Sequence, residues 1–345
     1  MLFPIASFAD LVPESEPERV PEIPPEFPPE PPPEDLPPKP SAIDLQRAYL
    51  SDKLVGFASE IDRFFGTERN FQETNKSVFQ FDVIHTMQES VTPNIGLGYK
   101  AKFDLPNAQK HLRLMLETNP DQPQNLPGAT MGQQLQLQQQ QSSIFNEVST
   151  PNSYGAAIRF ENKEDSPLRL NADAGLKLDN IDVHPFARSS ASYVWPLGLV
   201  QVKLTQSLYQ FNTTGLGEST LLEADHHFSD KVLFRASSGA TFLYVNQYFD
   251  LHQDFSIFQT LDQQESVLYQ VSANGFGRPV TQFSLDGSSR PITGVSEYVA
   301  LVLYRMRLHQ DWIFVELSPQ LHYPQINNFQ LNAQFITRLE FMFSK

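Results

Sequence analysis

From about residue 76 to the C-terminus, apolar and polar residues alternate with a period of two. Leu168, Leu170, Ala172, Ala174, Leu176 and Leu178 alternate with Arg169, Asn171, Asp173, Gly175, Lys177 and Asp179. Ile95 to Leu105 and Val232 to Tyr244 read the same way, as does the closing run with Leu331, Ala333, Phe335, Thr337, Leu339, Phe341 and Phe343 in one register. Successive side chains of a strand point to opposite faces, so each run predicts a strand with one apolar face. Strands are predicted near 76–88, 92–105, 110–118, 153–162, 167–179, 183–195, 198–211, 216–229, 231–245, 248–260, 264–277, 295–309, 311–322 and 327–343.

The period alone does not say which face is inside. A soluble sandwich buries its apolar face, whereas a membrane barrel turns that face to lipid. Length discriminates between them. Sandwich strands usually run about 5–6 residues, while these runs reach the roughly 9–11 needed to cross a bilayer at a tilt. The apolar register of the four runs carries no charge, and Lys or Arg there would cost about 2–4 kcal/mol at the bilayer midplane. The pattern therefore predicts an all-β, antiparallel transmembrane β-barrel over 76–345, with about fourteen strands and twelve as the alternative. If the first strand starts on the periplasmic side, the longest connections, 119–152 and 278–294, both fall on the outer side. Trp195, Phe228, Phe341 and Phe343 then land near the periplasmic rim, where aromatic side chains form a girdle. Trp312 sits at that rim too, but in the register of Glu316 rather than that of Ile313, Val315 and Leu317.

The polar register supplies the candidate functional residues. On the first half of the barrel these are Arg113, Arg159, Arg169, Asp173, Lys177, Arg188 and Lys203. Glu223, Arg235, Arg305, Arg307, Glu316, Arg338 and Glu340 follow on the second half. They are expected to line the lumen, with positive charge in excess. Charged rings select ions by sign, so an open lumen would favour small anions. Opposite charges on adjacent strands could instead pair and close it.

The N-terminal quarter differs from the rest. Within residues 1–40 lie fourteen prolines and nine acids against only Arg19 and Lys39, a net charge of −7 within a total of −15. Each proline removes a donor and fixes φ. Residues 10–40 therefore read as a disordered, polyproline-II-prone linker stiffened by its own charge. Residues 1–9 end in Ser7-Phe8-Ala9, matching the cleavage end of a secretory signal whose basic and apolar parts are missing. They are read as a truncated signal peptide, with a merely apolar N-terminus as the alternative. Residues 41–66 predict an amphipathic helix. Asp44 lies near its start, Gly66 follows its end, and Leu50, Leu54, Phe57, Ile61 and Phe64 form one stripe. That stripe requires a partner surface: the barrel, a membrane or another protein.

The closing strand, with Phe335, Leu339, Phe341 and Phe343, resembles the C-terminal assembly signal of bacterial outer-membrane β-barrels, departing from it by Ser344 and Lys345. The region from Tyr193 onward is also similar to an uncharacterised group of proteobacterial outer-membrane proteins. That similarity rests on Trp195-Pro196-Leu197-Gly198, Leu204-Thr205-Gln206 and Asp311-Trp312-Ile313-Phe314-Val315-Glu316-Leu317-Ser318-Pro319. Phe64-Phe65-Gly66 followed by Glu68 and Arg69 extends it. The resemblance implies a Gram-negative outer-membrane location, outer-membrane lipid and the barrel-assembly machinery as partners, and no activity.

Other chemistry reads weakly. The chain has no cysteine, which excludes a disulfide scaffold and thiolate chemistry. Its acidity argues against nucleic acid as a partner. No run of 18 apolar residues predicts a membrane-crossing helix. Ser272-Ala273-Asn274-Gly275 faintly resembles a segment of outer-membrane phospholipases, but no histidine is positioned before the serine. Asp225, His226, His227 and His252 are candidate metal ligands by residue type, but adjacent strand residues point to opposite faces and cannot share one ion. No catalytic residue, cofactor or metal is therefore expected. The expected function is a channel or structural barrel with a charged lumen and a periplasmic N-terminal tail. The alternative is a scaffold, adhesin or secretion or assembly accessory that recruits a periplasmic protein or peptidoglycan through residues 10–66.

Overall fold

A computed structural model describes residues 60–65, 77–88, 91–105, 111–122, 153–162, 168–213, 215–245, 247–283, 289–309 and 312–344. The expected signal segment 1–9, the linker 10–40 and the helix before residue 60 lie outside these. Fourteen strands are formed: β1 Val78–Gln88, β2 Val91–Asp104, β3 Leu112–Thr118, β4 Ser153–Glu161, β5 Leu168–Asp179, β6 Asp182–Leu197 and β7 Val200–Phe211. The second half comprises β8 Gly215–Ser229, β9 Val232–Leu243, β10 Tyr248–Thr260, β11 Glu265–Phe283, β12 Ser289–His309, β13 Ile313–Pro324 and β14 Asn332–Ser344. Each pairs antiparallel with its neighbour, and β14 pairs with β1 from Val78↔Ser344 to Gln88↔Gln334, closing the barrel. Closure removes every free strand edge, which a membrane requires because lipid cannot satisfy backbone groups.

The turns follow from local sequence. β5 and β6 are joined through Asn180, which adopts φ 54, and β6 and β7 through Gly198 at φ 76. Those left-handed values suit tight hairpins whose twist matches that of the strands. Even-to-odd connections at β6–β7, β8–β9 and β12–β13 are short, and this end of the barrel is called the short-turn end below. The β3–β4 connection is long, as expected, but the predicted long loop at 278–294 is not. β11 continues to Phe283 and β12 starts at Ser289, with Thr281↔Pro291 and Gln282↔Arg290 still paired. Gly275, Gly277 and Pro279 fall where the register shifts between Asn274 and Gly275 and between Phe276 and Val280, while Pro291 stays in the paired stretch opposite Thr281.

The outer register is apolar and exposed: Leu170, Leu176, Phe160, Phe255 and Val271 all lie open on the outside. Trp312 corrects the sequence reading. β13 begins only at Ile313, so Trp312 lies in the preceding turn, free of the strand's alternation, and stacks on Phe343 at 5.3 Å. Inside, two apolar clusters interrupt the polar register. One gathers Val78, Met115, Phe186, Tyr209 and Phe211. In the other, Ile61 and Phe65 from ahead of the barrel join Leu233, Phe258, Leu268 and Leu303 of its inner wall.

Candidate functional site

The inner wall carries the charge. All fourteen predicted lumen residues occupy the inward register of their strands. Antiparallel pairing puts many of them directly opposite charges of the other sign. Arg159 on β4 faces Asp173 on β5, which faces Arg188 on β6. Arg159 donates from Nε and Nη2 to the two Asp173 oxygens at 2.6 and 2.7 Å, while Arg188 Nε donates to Asp173 at 2.5 Å. Arg188 then reaches Glu117 at 2.6 Å. Beside this ladder, Lys102 pairs with Glu161 at 3.1 Å and Arg113 with Asp104 at 2.6 Å. At the far end Lys177 meets Asp121 at 2.7 Å, at the base of the long β3–β4 connection.

A second ladder runs across β12, β13 and β14, where Arg305, Glu316 and Arg338 lie opposite one another with alternating sign, while Asp82 on β1 lies opposite Glu340. Arg305 donates to both Glu316 and Glu340, and Arg338 lies 3.2 Å from Glu316 and 3.5 Å from Glu340. Gln80 donates to Glu340 at 3.2 Å. Arg159, Lys102, Arg305 and Glu340 are wholly withdrawn from solvent, each at 0% exposure. Fixed, dehydrated charges of this kind demand partners, because an unpaired buried ion is costly.

The third group involves a residue from outside the sheet. Residues 60–64 form a helical turn, with the Phe65 amide donating to the Ile61 carbonyl at 2.9 Å. Asp62, 2% exposed, accepts from Arg235 Nη1 and Nη2 at 2.8 and 3.1 Å. Arg235 also donates to Asp225 at 2.7 and 2.9 Å, so its guanidinium is clamped between two carboxylates. Glu223 lies 3.9 Å from Arg235 and 4.0 Å from Lys203. The aromatic side chains of the turn are seated as well. Phe64 packs edge-on to Phe314 at 6.0 Å, beneath the guanidinium groups of Arg305 and Arg307. Phe65 packs edge-on to Phe258 at 5.4 Å. All of these contacts are on the inner wall of β7–β13 near the short-turn end.

The wall differs from the sequence reading in its balance. Asp82, Glu117, Glu161 and Asp225 supply carboxylates that the sequence reading did not count; the last three sit against cations, and Asp82 accepts from Gln80. The expected excess of positive charge is therefore not found on the described inner wall. Asp225, weighed as a metal ligand, is instead Arg235's partner. His226 points outward, with its ring near the Leu199 carbonyl and edge-on to Phe228, so it cannot share an ion with the inward His227. Among the described residues no group of three metal-ligating side chains is gathered. Ser272 points inward and accepts from Gln270 Nε2 at 2.9 Å. Arg169 and Arg307 complete the predicted set. Arg169 lies opposite Ser192, and Arg307 lies 5.7 Å from the Phe314 ring.

The rim aromatics are on the outside. Trp195 packs with Tyr193 at 4.7 Å, and Phe228 lies against Phe234. Phe341 and Phe343 face Phe81 and Phe79 across the closing seam.

The fold and site together define a closed fourteen-strand antiparallel barrel with an apolar exterior and an ion-paired interior. No family model matches the chain, and no curated protein matches it in sequence. Solved structures that match it in shape are bacterial outer-membrane barrels. One is described as a bacterial polysaccharide outer membrane secretin, at 9% identity over 78% of this chain and 99% of that one, with a TM-score of 0.42. Another is in-vitro folded OmpT, an outer membrane protein of Vibrio cholerae, at 9% identity over 78% and 98%, TM-score 0.42. The outer membrane channel DcaP of Acinetobacter baumannii is similar at 8% identity over 78% and 96%, TM-score 0.40.

Proposed function

We propose that this protein is an integral outer-membrane barrel of the channel class whose lumen is restricted by its own ion-pair ladders and by residues 60–65 in the short-turn mouth. Membrane residence is supported by the closed sheet and by an exposed belt of leucine, phenylalanine and valine, which would be unfavourable in water at about 25 cal/mol per Å². The observation that carries the restricted-lumen reading is the Arg235 clamp, in which Asp62 is buried on the inner wall and Phe64 and Phe65 fill aromatic seats beside it. The orientation that fits has the short-turn end, and with it the acidic tail, in the periplasm. The balanced charge inside favours weak ion selectivity over the anion preference that an arginine-rich pore would show.

Planar-bilayer recordings of the full-length protein and of a chain beginning at residue 70 test this reading. Current that appears or rises several-fold only in the shortened chain supports it. Equal current in both would remove the plug, and silence in both would remove the channel. A second reading, a scaffold that presents residues 10–59 to a periplasmic protein or to peptidoglycan, is favoured by the same clamp, which would serve as an anchor. Recovery of folded protein from the soluble periplasm without detergent would overturn both.

A further inference from the structure

The outer face is not uniform. On β1–β4 and β12–β14 it is bulky, with Phe81, Leu97, Ile158, Phe160, Val302 and Leu321 outward. On β6–β10 the same level of the belt mixes small and polar side chains with Leu222 and Leu251. Gln206 on β7 accepts from the Thr220 hydroxyl on β8 at 2.5 Å. Beside this pair the Ser238 hydroxyl on β9 donates to Gln253 Oε1 on β10. Ala191 lies opposite Gln206, and Ala240 lies opposite Thr220. The four polar side chains form one diagonal patch across adjacent strands.

The depth of this patch makes it informative. On β9, Ser238 is midway between the outward aromatics Phe234 and Phe242. On β10, Gln253 lies between the outward aromatics Phe249 and Phe255. Aromatic side chains mark the two edges of the belt, so the amides lie near its centre. Each hydroxyl satisfies the carbonyl oxygen of its glutamine and leaves the amide NH2 to find an acceptor. Gln253 Nε2 has one long contact, 3.4 Å to the Asp254 carbonyl, and the Gln206 amide hydrogens meet no acceptor among the described residues. An amide that loses water without gaining a partner costs several kcal/mol in hydrocarbon. His85 and Thr337 form another polar pair at mid-strand, between Val83, Phe335 and Leu339, and carry no carboxamide.

We infer that the β6–β10 outer face is the contact surface for a second copy of this chain within the membrane. A carboxamide carries both donor and acceptor, so a patch holding two of them is complementary to itself under a two-fold axis. The alanines and serines around it let two sheets approach closely, as small residues do wherever lipid supplies no hydrophobic drive. Lipid chains can fill the bulky side of the barrel but cannot hydrogen-bond Gln206 and Gln253. The inference rests on the membrane reading above.

The chain lacks cysteine, which gives a clean test. Ala240→Cys and Ala191→Cys are introduced singly, with Leu97→Cys on the far face as control. Insertion of each is established by heat-modifiability before a short bis-maleimide is added to the membranes. The expected result is a covalent dimer from at least one patch variant, at several-fold the control yield. In mild detergent, light scattering should give a dimer for the native chain and a monomer for the double variant Gln206→Leu/Gln253→Leu. Inserted barrels that crosslink no better than the control would overturn the interface while leaving the membrane reading intact. A dimer that survives the double substitution would also overturn it, by placing the contact elsewhere. Failure of every variant and of the native chain to insert would instead count against the membrane reading.

Discussion

The inner walls of β3–β6 and β8–β13 face the same difficulty, buried arginine, and resolve it differently. On β3–β6 the sheet is self-sufficient, because register places Asp173 between Arg159 and Arg188, and Glu117 of β3 reaches Arg188 from a non-adjacent strand. On β8–β13 the sheet provides Asp225 for Arg235, and a residue from ahead of the barrel provides Asp62. The neighbouring seats have the same character: Phe314, Phe258 and Leu233 point inward, where a water-filled pore would favour polar groups. One wall is finished by strand pairing, while the other is finished only when residues 60–65 are in place. A closed sheet can thus hold a structural face and a receiving face side by side.

The self-sufficient wall should be the more fragile of the two to a single change. Asp173→Ala leaves Arg159 and Arg188 without their shared carboxylate. Removing one partner of a buried ion pair costs about 3–5 kcal/mol. Urea unfolding of protein refolded into vesicles, followed by heat-modifiability on gels, should show that loss. A change below about 1 kcal/mol would mean that water reaches the ladder and that the wall is not a dry one. The next largest effect tests which side of this wall is outside. Leu170→Arg or Ala174→Arg should lower stability in bilayers by about 2–4 kcal/mol. Asn171→Arg on the same strand faces inward opposite Glu161 and should be tolerated. Equal losses from both registers would show that the two faces of β5 have been exchanged.

The contrast also explains what was legible in the sequence. Strand number, order and outward register came through because a period of two over eleven or more residues has few other readings, and Leu168 to Asp179 is an unbroken example. Arg159, Asp173 and Arg188 were visible as inward residues for the same reason. Their pairing was not, since it depends on register between strands, which alternation within one strand does not contain. Glu117 and Glu161 share the parity of Arg113 and Arg159 and so were legible as inward residues; leaving them out made the lumen look too positive. Asp225 was drawn toward a metal reading by the adjacent histidines, and only its position opposite Arg235 reveals its role. Trp312 was misread because the alternation was carried one residue past the start of β13. The docked turn was half visible: Ile61 and Phe64 stood in an apolar stripe, but nothing local identifies Leu233, Phe258 and Phe314 as its seat.

The smallest expected effect on stability separates the two walls most sharply. Asp62→Asn removes the charge that residues 60–65 contribute, yet Arg235 keeps its two hydrogen bonds to Asp225. The barrel should therefore lose no more than about 1 kcal/mol, the scale of one hydrogen bond whose partner finds another. What should change is the occupancy of the turn. Without that charge the segment should be cut faster by protease added to the short-turn side, while the barrel band keeps its heat-modifiability. Arg235→Ala should act in the opposite order, weakening the barrel as well, because Asp225 and Asp62 are then both left without their shared cation. If Asp62→Asn destabilised the barrel as much as Asp173→Ala does, the segment would be part of the folded core rather than a docked element, and the two walls would be of one kind.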